Sequence, residues 1–365
     1  MKRYLMTAIC ALAVLSCGKG TVVVETPAFA KGADISWVSE MEQDGKVFKK
    51  QDGTAADILD VLKEVGINAV RLRVWVDPYG GWSGKDDVVR LAGRAAKAGL
   101  ALMVDFHYSD FFADPSRQGV PAAWADDTGD IAKMAAHVTA HTTEVLQALK
   151  DAGVTPAWVQ IGNETRNGML WPAGQLWDTH GDLPDGWAHF IQLYMAGYNA
   201  AKAVFPDIKV MPHLDNAYED NDWWFKKLRA GGGKFDLIAL SHYPQAETGM
   251  TAARYNTQAA DRVNALAATY GVDIIISEVG VKTQADETAA ATVLSGFMTA
   301  VTATGKCAGV FYWEPEVYGW WKPAVYSDAD AIHRYTGKRE TWNSYDMGAF
   351  TTDGRPSVVM DAFKE

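Results

Sequence analysis

Cysteine is nearly missing from this chain, with Cys10, Cys17 and Cys307 the only three in 365 residues. That excludes a disulfide framework and a thiolate-rich metal centre. No apolar run reaches the roughly 20 residues that a membrane-spanning helix needs, and the N-terminal stretch Leu5–Leu15 falls well short of it. Positive charge is also in deficit: 34 Lys and Arg stand against 45 Asp and Glu, for a net charge of −11. An acidic surface argues against nucleic acid and against an anionic substrate, and it suits a neutral polymer. Several motifs are lacking as well. No G-x-G-x-x-G or Walker-type loop follows the first strand-like run, no G-x-S-x-G elbow occurs, and no H-x-H or H-E-x-x-H spacing appears. These gaps weigh against nucleotide-dependent, Ser-His-Asp and zinc-hydrolase chemistry. What remains is a globular balance, 48% hydrophobic and 22% charged, with 14 tryptophans. It is large enough for one big α/β barrel or two smaller domains.

Lys2 and Arg3 ahead of Leu5–Leu15 read as a signal peptide. The string Val14-Leu-Ser-Cys17-Gly resembles the lipobox of bacterial lipoproteins, in which the cysteine is acylated and becomes the new N-terminus. An ordinary secretory signal is the alternative. The expected organisation is a signal peptide over 1–16, a polar spacer over 17–30 and a catalytic domain over 31–365. Such a protein would be lipid-anchored in the bacterial cell envelope, on the surface or the periplasmic face of the outer membrane. Cys307 is then left without a disulfide partner and reads as a small core residue.

Strand-like and helix-like segments alternate along the rest of the chain. Eight runs read as strands: Ala33–Val38, Ala69–Trp75, Ala101–His107, Ala157–Asn163, Lys209–Leu214, Leu237–His242, Asp273–Ser277 and Gly309–Trp313. The segments between them have helical periodicity, and several close on a glycine (Gly66, Gly99, Gly153, Gly271, Gly305) as helix C-termini do. Eight such units predict a single α/β domain, a (β/α)₈ TIM barrel with its site at the C-terminal ends of the strands. An open doubly wound sheet is the alternative. The segment from Glu314 to about Asp353 reads as a long loop after strand eight, and loops of that length are usually functional.

Glu164 and Glu278 each end an apolar strand-like run, where an unpaired carboxylate costs several kcal/mol or takes up a proton. Two of them at equivalent places suggest one site built from both, the carboxylate pair that retaining glycoside hydrolysis requires. Glu164 reads as the acid/base, its pKa raised by burial and by Glu278. Glu278 reads as the nucleophile, held charged by Arg73 and nearby hydroxyls. The other polar and aromatic groups at strand ends are candidate substrate contacts: Asp34, Arg73, Asp105, His107, Tyr108, Asn163, Asp215, His242, Tyr243, Trp313 and Trp320. Asn163 is expected to donate its amide to a sugar 2-hydroxyl, and flat tryptophan rings suit the C–H faces of pyranoses. His107, His213 and His242 could instead gather around zinc, but hydrogen bonding to sugar hydroxyls fits their spacing better, so no metal or cofactor is expected. A monomer is expected.

Several longer strings carry a resemblance: Gly32-Ala-Asp-Ile-Ser-Trp37, Val70-Arg-Leu-Arg-Val-Trp75, Asp105-Phe-His-Tyr-Ser-Asp110, Gln160-Ile-Gly-Asn-Glu164, Ser277-Glu-Val-Gly280 and Tyr312-Trp-Glu-Pro315. Together they resemble family 53 glycoside hydrolases, the endo-β-1,4-galactanases, over about residues 30–363. The resemblance implies a retaining endo-hydrolase of β-1,4-galactan and type I arabinogalactan, with acid/base Glu164 and nucleophile Glu278. It departs from the family where Phe stands for an expected Trp in Ser109-Asp-Phe-Phe-Ala-Asp-Pro115. Some bacterial members hold calcium in a loop after the nucleophile, and Val281–Thr288 lacks the Asp/His/Asn-rich run for it, leaving Asp328 and Asp330 as the remaining candidates. Competing readings are another retaining β-glycanase, such as a mannanase or glucanase, and a glycan-binding lipoprotein without catalysis.

Overall fold

The computed structural model describes residues 24–244, 250–283, 286–338, 342 and 346–364. Cys10, Cys17 and the expected signal peptide lie outside the described residues. The barrel strands are β1 (Ala30–Asp34), β2 (Ala69–Val74), β3 (Ala101–Phe106), β4 (Trp158–Ile161), β5 in two segments (Lys209–Met211 and His213–Leu214), β6 (Ile238–His242), β7 (Ile274–Val279) and β8 (Cys307–Tyr312). Every neighbouring pair is parallel, and β8 pairs with β1. Pro212 divides β5, because it has no N–H for the ladder. The first segment of β5 pairs with β4 and the second with β6, so the sheet closes. The predicted eight-stranded barrel is what forms.

The helices are α1 (Val38–Gln43), α2 (Ile58–Glu64), α3 (Lys85–Lys97), α4 (Ile131–Asp151), α5 (Gly186–Val204), α6 (Asp222–Ala230), α7 (Ala252–Tyr270), α8 (Glu287–Thr302) and α9 (Ala329–Thr336). The α3 helix shows why they pack as they do. Val88, Leu91, Ala92, Ala95 and Ala96 recur at helical spacing and are buried, while the charged residues between them face out. Where an eighth barrel helix would follow β8, the chain makes a short 3₁₀ turn, Val358–Phe363, packed on α8. The long segment after β8 is therefore not structureless: it holds a 3₁₀ turn at Ala324–Ser327 and then α9.

Strand parity sorts the core in two. Val70, Leu72 and Val74 of β2 face the helices and join the main core. Ala30, Ala69, Ala101, Met103, Trp158, Met211, Ala239, Ile275 and Phe311 face inward and plug the barrel floor. Gly32 is obligatory there, since a Cβ would sit 2.1 Å from the Phe311 ring. Moving up the same inward rows leads from Ala69 to Arg71 and Arg73, from Met103 to Asp105 and His107, and from Ala239 to Ser241. The floor's parity thus aims the polar residues into the mouth. In β7 the register slips between Ile276 and Val279, and Ser241 of β6 pairs with Glu278 directly after Leu240 pairs with Ile276. This bulge at Ser277 turns Glu278 inward, where regular alternation would have pointed it out.

Candidate active site

A cleft of about 790 Å³ opens at the C-terminal ends of the strands. Glu164 and Glu278 both line it, with Asp34, Arg73, His107, Asn163, Tyr243 and Trp313 from the expected set. The organising residue is Arg71, which is 1% exposed. Its Nη1 donates to Asp34 Oδ2 at 2.7 Å, and its Nη2 donates to Asp105 Oδ2 at 2.7 Å, Asn163 Oδ1 at 2.9 Å and Glu278 Oε1 at 2.8 Å. Arg71, and not Arg73, is therefore the cation on Glu278. Tyr243 completes the carboxylate's shell by donating its hydroxyl to Glu278 Oε2 at 2.7 Å.

Arg73 has a different partner. It pairs with Glu314 at the end of β8 and lies under three aromatic rings, those of Trp37 at 4.0 Å, Trp75 at 4.6 Å and Phe112 at 4.8 Å. Burial still pushes Glu314 up to about 8 despite the arginine. Glu316, buried nearby, accepts the Trp37 N–H and is raised far above the carboxylate range by burial and by Glu314. A further clasp ties the segment after β8 to the first βα unit. Glu40 on α1 accepts the Ala324 N–H at 2.7 Å, and Trp321 Nε1 donates to Asp44 at 2.7 Å. Burial raises Glu40 to about 7.

The two cleft glutamates differ electrically. Burial pushes Glu164 well above the usual range, and the charges of Glu278, Asp215 and Asp114 push it further. Burial raises Glu278 too, but Arg71 and the Tyr243 hydroxyl oppose the rise. One carboxyl thus holds a proton while its neighbour is favoured as the anion, the division of labour a double displacement needs. Glu164 sits at φ 48°, just past Gly162 at φ 80°, so a tight left-handed turn presents it at the end of β4.

Of the expected contacts, some are engaged by partners within the protein and others lie away from the cleft. Asp105 is fully buried beneath the cleft and, although burial opposes it, Arg71 and His107 hold its carboxyl below the usual range. His107 donates Nε2–H to Asp105 at 2.9 Å and accepts the Ala113 N–H on Nδ1. Asn163 donates its amide to the Ala113 carbonyl at 2.8 Å, an engagement the sequence did not reveal. Asp215 is bound to Arg166 at 2.6 Å at the edge of the site. Tyr108 and His242 have the wrong strand parity and face the helices. Tyr108 hydrogen-bonds Thr142 of α4, and His242 bonds Asn256 of α7 while stacked on Phe297. Trp320, 78% exposed, lines a separate cavity with Trp321. Trp342 borders both that cavity and the cleft, and no periodicity in its segment singled it out. Asp328 is occupied as the N-cap of α9, accepting the N–H groups of Asp330 and Ala331. Among the described residues no group of three His, Cys, Asp or Glu side chains is arranged to hold a metal ion.

A closed parallel barrel with two unlike carboxyls sharing its mouth is the architecture of the barrel glycoside hydrolases. Comparison with known proteins narrows the class. The profile described as Glycosyl hydrolase family 53 matches residues 30–351, and the chain belongs to that family. A probable arabinogalactan endo-beta-1,4-galactanase A of Neosartorya fischeri is 32% identical over 78% of this chain and 83% of its own length. An endo-beta-1,4-galactanase of Bacillus subtilis is 31% identical over 79% of this chain and 70% of its own. Among solved structures, the Ignisphaera aggregans GH53 catalytic domain aligns over 92% of this chain and 95% of its own, with TM-score 0.76 and 28% identity. A structure from a study of two fungal beta-1,4-galactanases aligns over 93% of this chain and 100% of its own, with TM-score 0.74 and 27% identity.

Proposed function

We propose that this protein is an endo-β-1,4-galactanase that hydrolyses galactan and type I arabinogalactan with retention of anomeric configuration. The observation that carries the mechanism is the contrast in one cleft between a proton-holding Glu164 and a Glu278 bonded to Arg71 and Tyr243. In the first half-reaction Glu164 gives its proton to the departing glycosidic oxygen while Glu278 attacks the anomeric carbon. In the second, Glu164 takes a proton from water, which displaces the Glu278 ester. His107 and Trp313 line the cleft beside this pair and are assigned to sugar binding.

Reducing-sugar release from galactan, mannan and cellulose, with proton NMR of the first anomer formed, tests this reading. Release from galactan with the β anomer appearing first is expected. Activity confined to mannan or cellulose overturns the substrate, and a first-formed α anomer overturns retention. We further propose that the protein works as a monomer held in the cell envelope by a lipid on Cys17, a reading that rests on the Val14–Gly18 motif.

A further inference from the structure

Four tryptophans gather outside the cleft, beside the segment that follows Glu164. Trp224, fully buried on α6, and Trp187, half-buried at the start of α5, form the base, with ring centroids 5.6 Å apart. Trp177 and Trp223 lie farther out, with centroids 6.0 Å apart and planes inclined by 53°. Trp177 is half-buried, and Trp223 is 39% exposed, one of two exposed tryptophans among the described residues. The core accounts for Trp224 but not for Trp223, whose indole is kept in water beside a second half-open indole. Polar groups rim the outer pair: Lys227 Nζ lies 5.9 Å from the Trp223 ring and 3.2 Å from Asp182 Oδ2. Flat apolar rings bordered by hydrogen-bonding groups suit a pyranose, which is apolar on its C–H face and polar at its hydroxyls.

The outer pair is tied to the cleft from two directions. Arg166 reaches Asp215 and Glu219 with its guanidinium, and its carbonyl accepts the Trp224 indole N–H at 3.0 Å. Asn167 holds the Trp177 backbone on both sides, its Oδ1 accepting the N–H at 2.9 Å and its Nδ2 donating to the carbonyl at 3.0 Å. Asn167 is three residues from Glu164, at most about 11 Å along an extended chain. From the other direction, Asn216, Tyr218 and Glu219 line the cleft, and the same segment runs on into Trp223, the second residue of α6. In a displacement at the anomeric carbon the leaving group departs opposite the nucleophile, so the leaving part of the glycan lies on the Glu164 side. We propose that Trp177 and Trp223 form a distal binding platform, beyond the cleft, for the leaving part of a β-galactan chain. This rests on the galactanase reading. The platform takes no part in the chemistry; it binds only chains long enough to reach it, and so favours polymer over short oligosaccharides.

Trp223→Ala and the double variant Trp177→Ala/Trp223→Ala test it in the full-length enzyme. Both positions suit the change: alanine is the best helix former for the Trp223 position, and the two bonds from Trp177 to Asn167 are made by its backbone. On galactan, kcat/KM should fall about three- to tenfold, through KM, the scale of a lost aromatic contact. On an aryl β-galactobioside, whose leaving group ends within the cleft, kcat/KM should stay at the value of the unaltered enzyme, which also shows that the variants fold. Trp223→Phe, which keeps a flat ring, should recover most of the loss. An unchanged kcat/KM on galactan overturns the proposal, and an equal loss on both substrates overturns it too by showing a structural role. Retardation in a native gel containing galactan reads binding without turnover: Glu278→Ala should be slowed more than the same variant lacking Trp177 and Trp223, and equal mobility overturns the proposal. The galactanase reading fails separately, if the unaltered enzyme leaves galactan intact.

Discussion

Replacing Glu40 by glutamine should stabilise the protein, and by more as pH rises toward neutrality. Glu40 is 3% exposed, accepts the Ala324 N–H and is raised by burial to about 7 from 4.5. Between those two values the unfolded chain gives up this proton first. The folded state is therefore penalised as pH climbs, and the penalty levels off above about 7. Glutamine keeps the carbonyl acceptor for Ala324 and has no charge to bury. With ~1.36 kcal/mol per pH unit, linkage gives the variant an advantage of under about 1 kcal/mol near pH 5 and roughly 3 kcal/mol near pH 8.5. Urea unfolding of both proteins at the two pH values measures it, and titrating groups remote from Glu40 cancel in the difference. An advantage that is flat or falls between the two pH values refutes the reasoning, since it would mean that Glu40 is not carrying buried charge at neutral pH.

Glu278→Ala should lose hydrolysis while still binding galacto-oligosaccharides, and azide should restore turnover of an aryl β-galactoside by entering the vacated face to give the α-azide. Azide with Glu164→Ala should give the β-azide instead, with galactan turnover down about 10²–10⁴-fold; the opposite pattern of azide products would exchange the two roles. In cells, Cys17→Ala should abolish incorporation of radiolabelled palmitate and release the protein from the membrane fraction. Persistent labelling would show that the lipid sits elsewhere.

The barrel was legible in the sequence because each strand run is apolar and short, and several of the helical segments between the runs end on glycine. Gly66, Gly99, Gly153, Gly271 and Gly305 all adopt positive φ. The two glutamates were legible because carboxyls rarely end such runs. Which arginine serves Glu278 was not. Arg71 and Arg73 share one face of β2, and only the height of the other strands' acids decides that the lower one reaches Glu278 while the upper one meets Glu314. Tyr108 and His242 could have been excluded from parity, counting from Met103 and Ala239, whose inward direction shows once the floor is known. The same counting would have mispointed Glu278, because the bulge at Ser277 leaves no mark in the residue pattern. Trp342 depends on how an irregular segment after β8 lies back over the mouth, which no local spacing encodes.

Arg71 draws side chains from β1, β3, β4 and β7 onto one guanidinium. A single cation divided among three carboxylates behaves as a shared reservoir: withdrawing any one claimant leaves more positive potential for the others. Asp34 never needs to touch the reacting carbon to govern the acidity at which Glu278 can attack. An engineer wishing to move the working pH of this enzyme downward should therefore alter the other claimants on Arg71, and leave the two reacting glutamates alone.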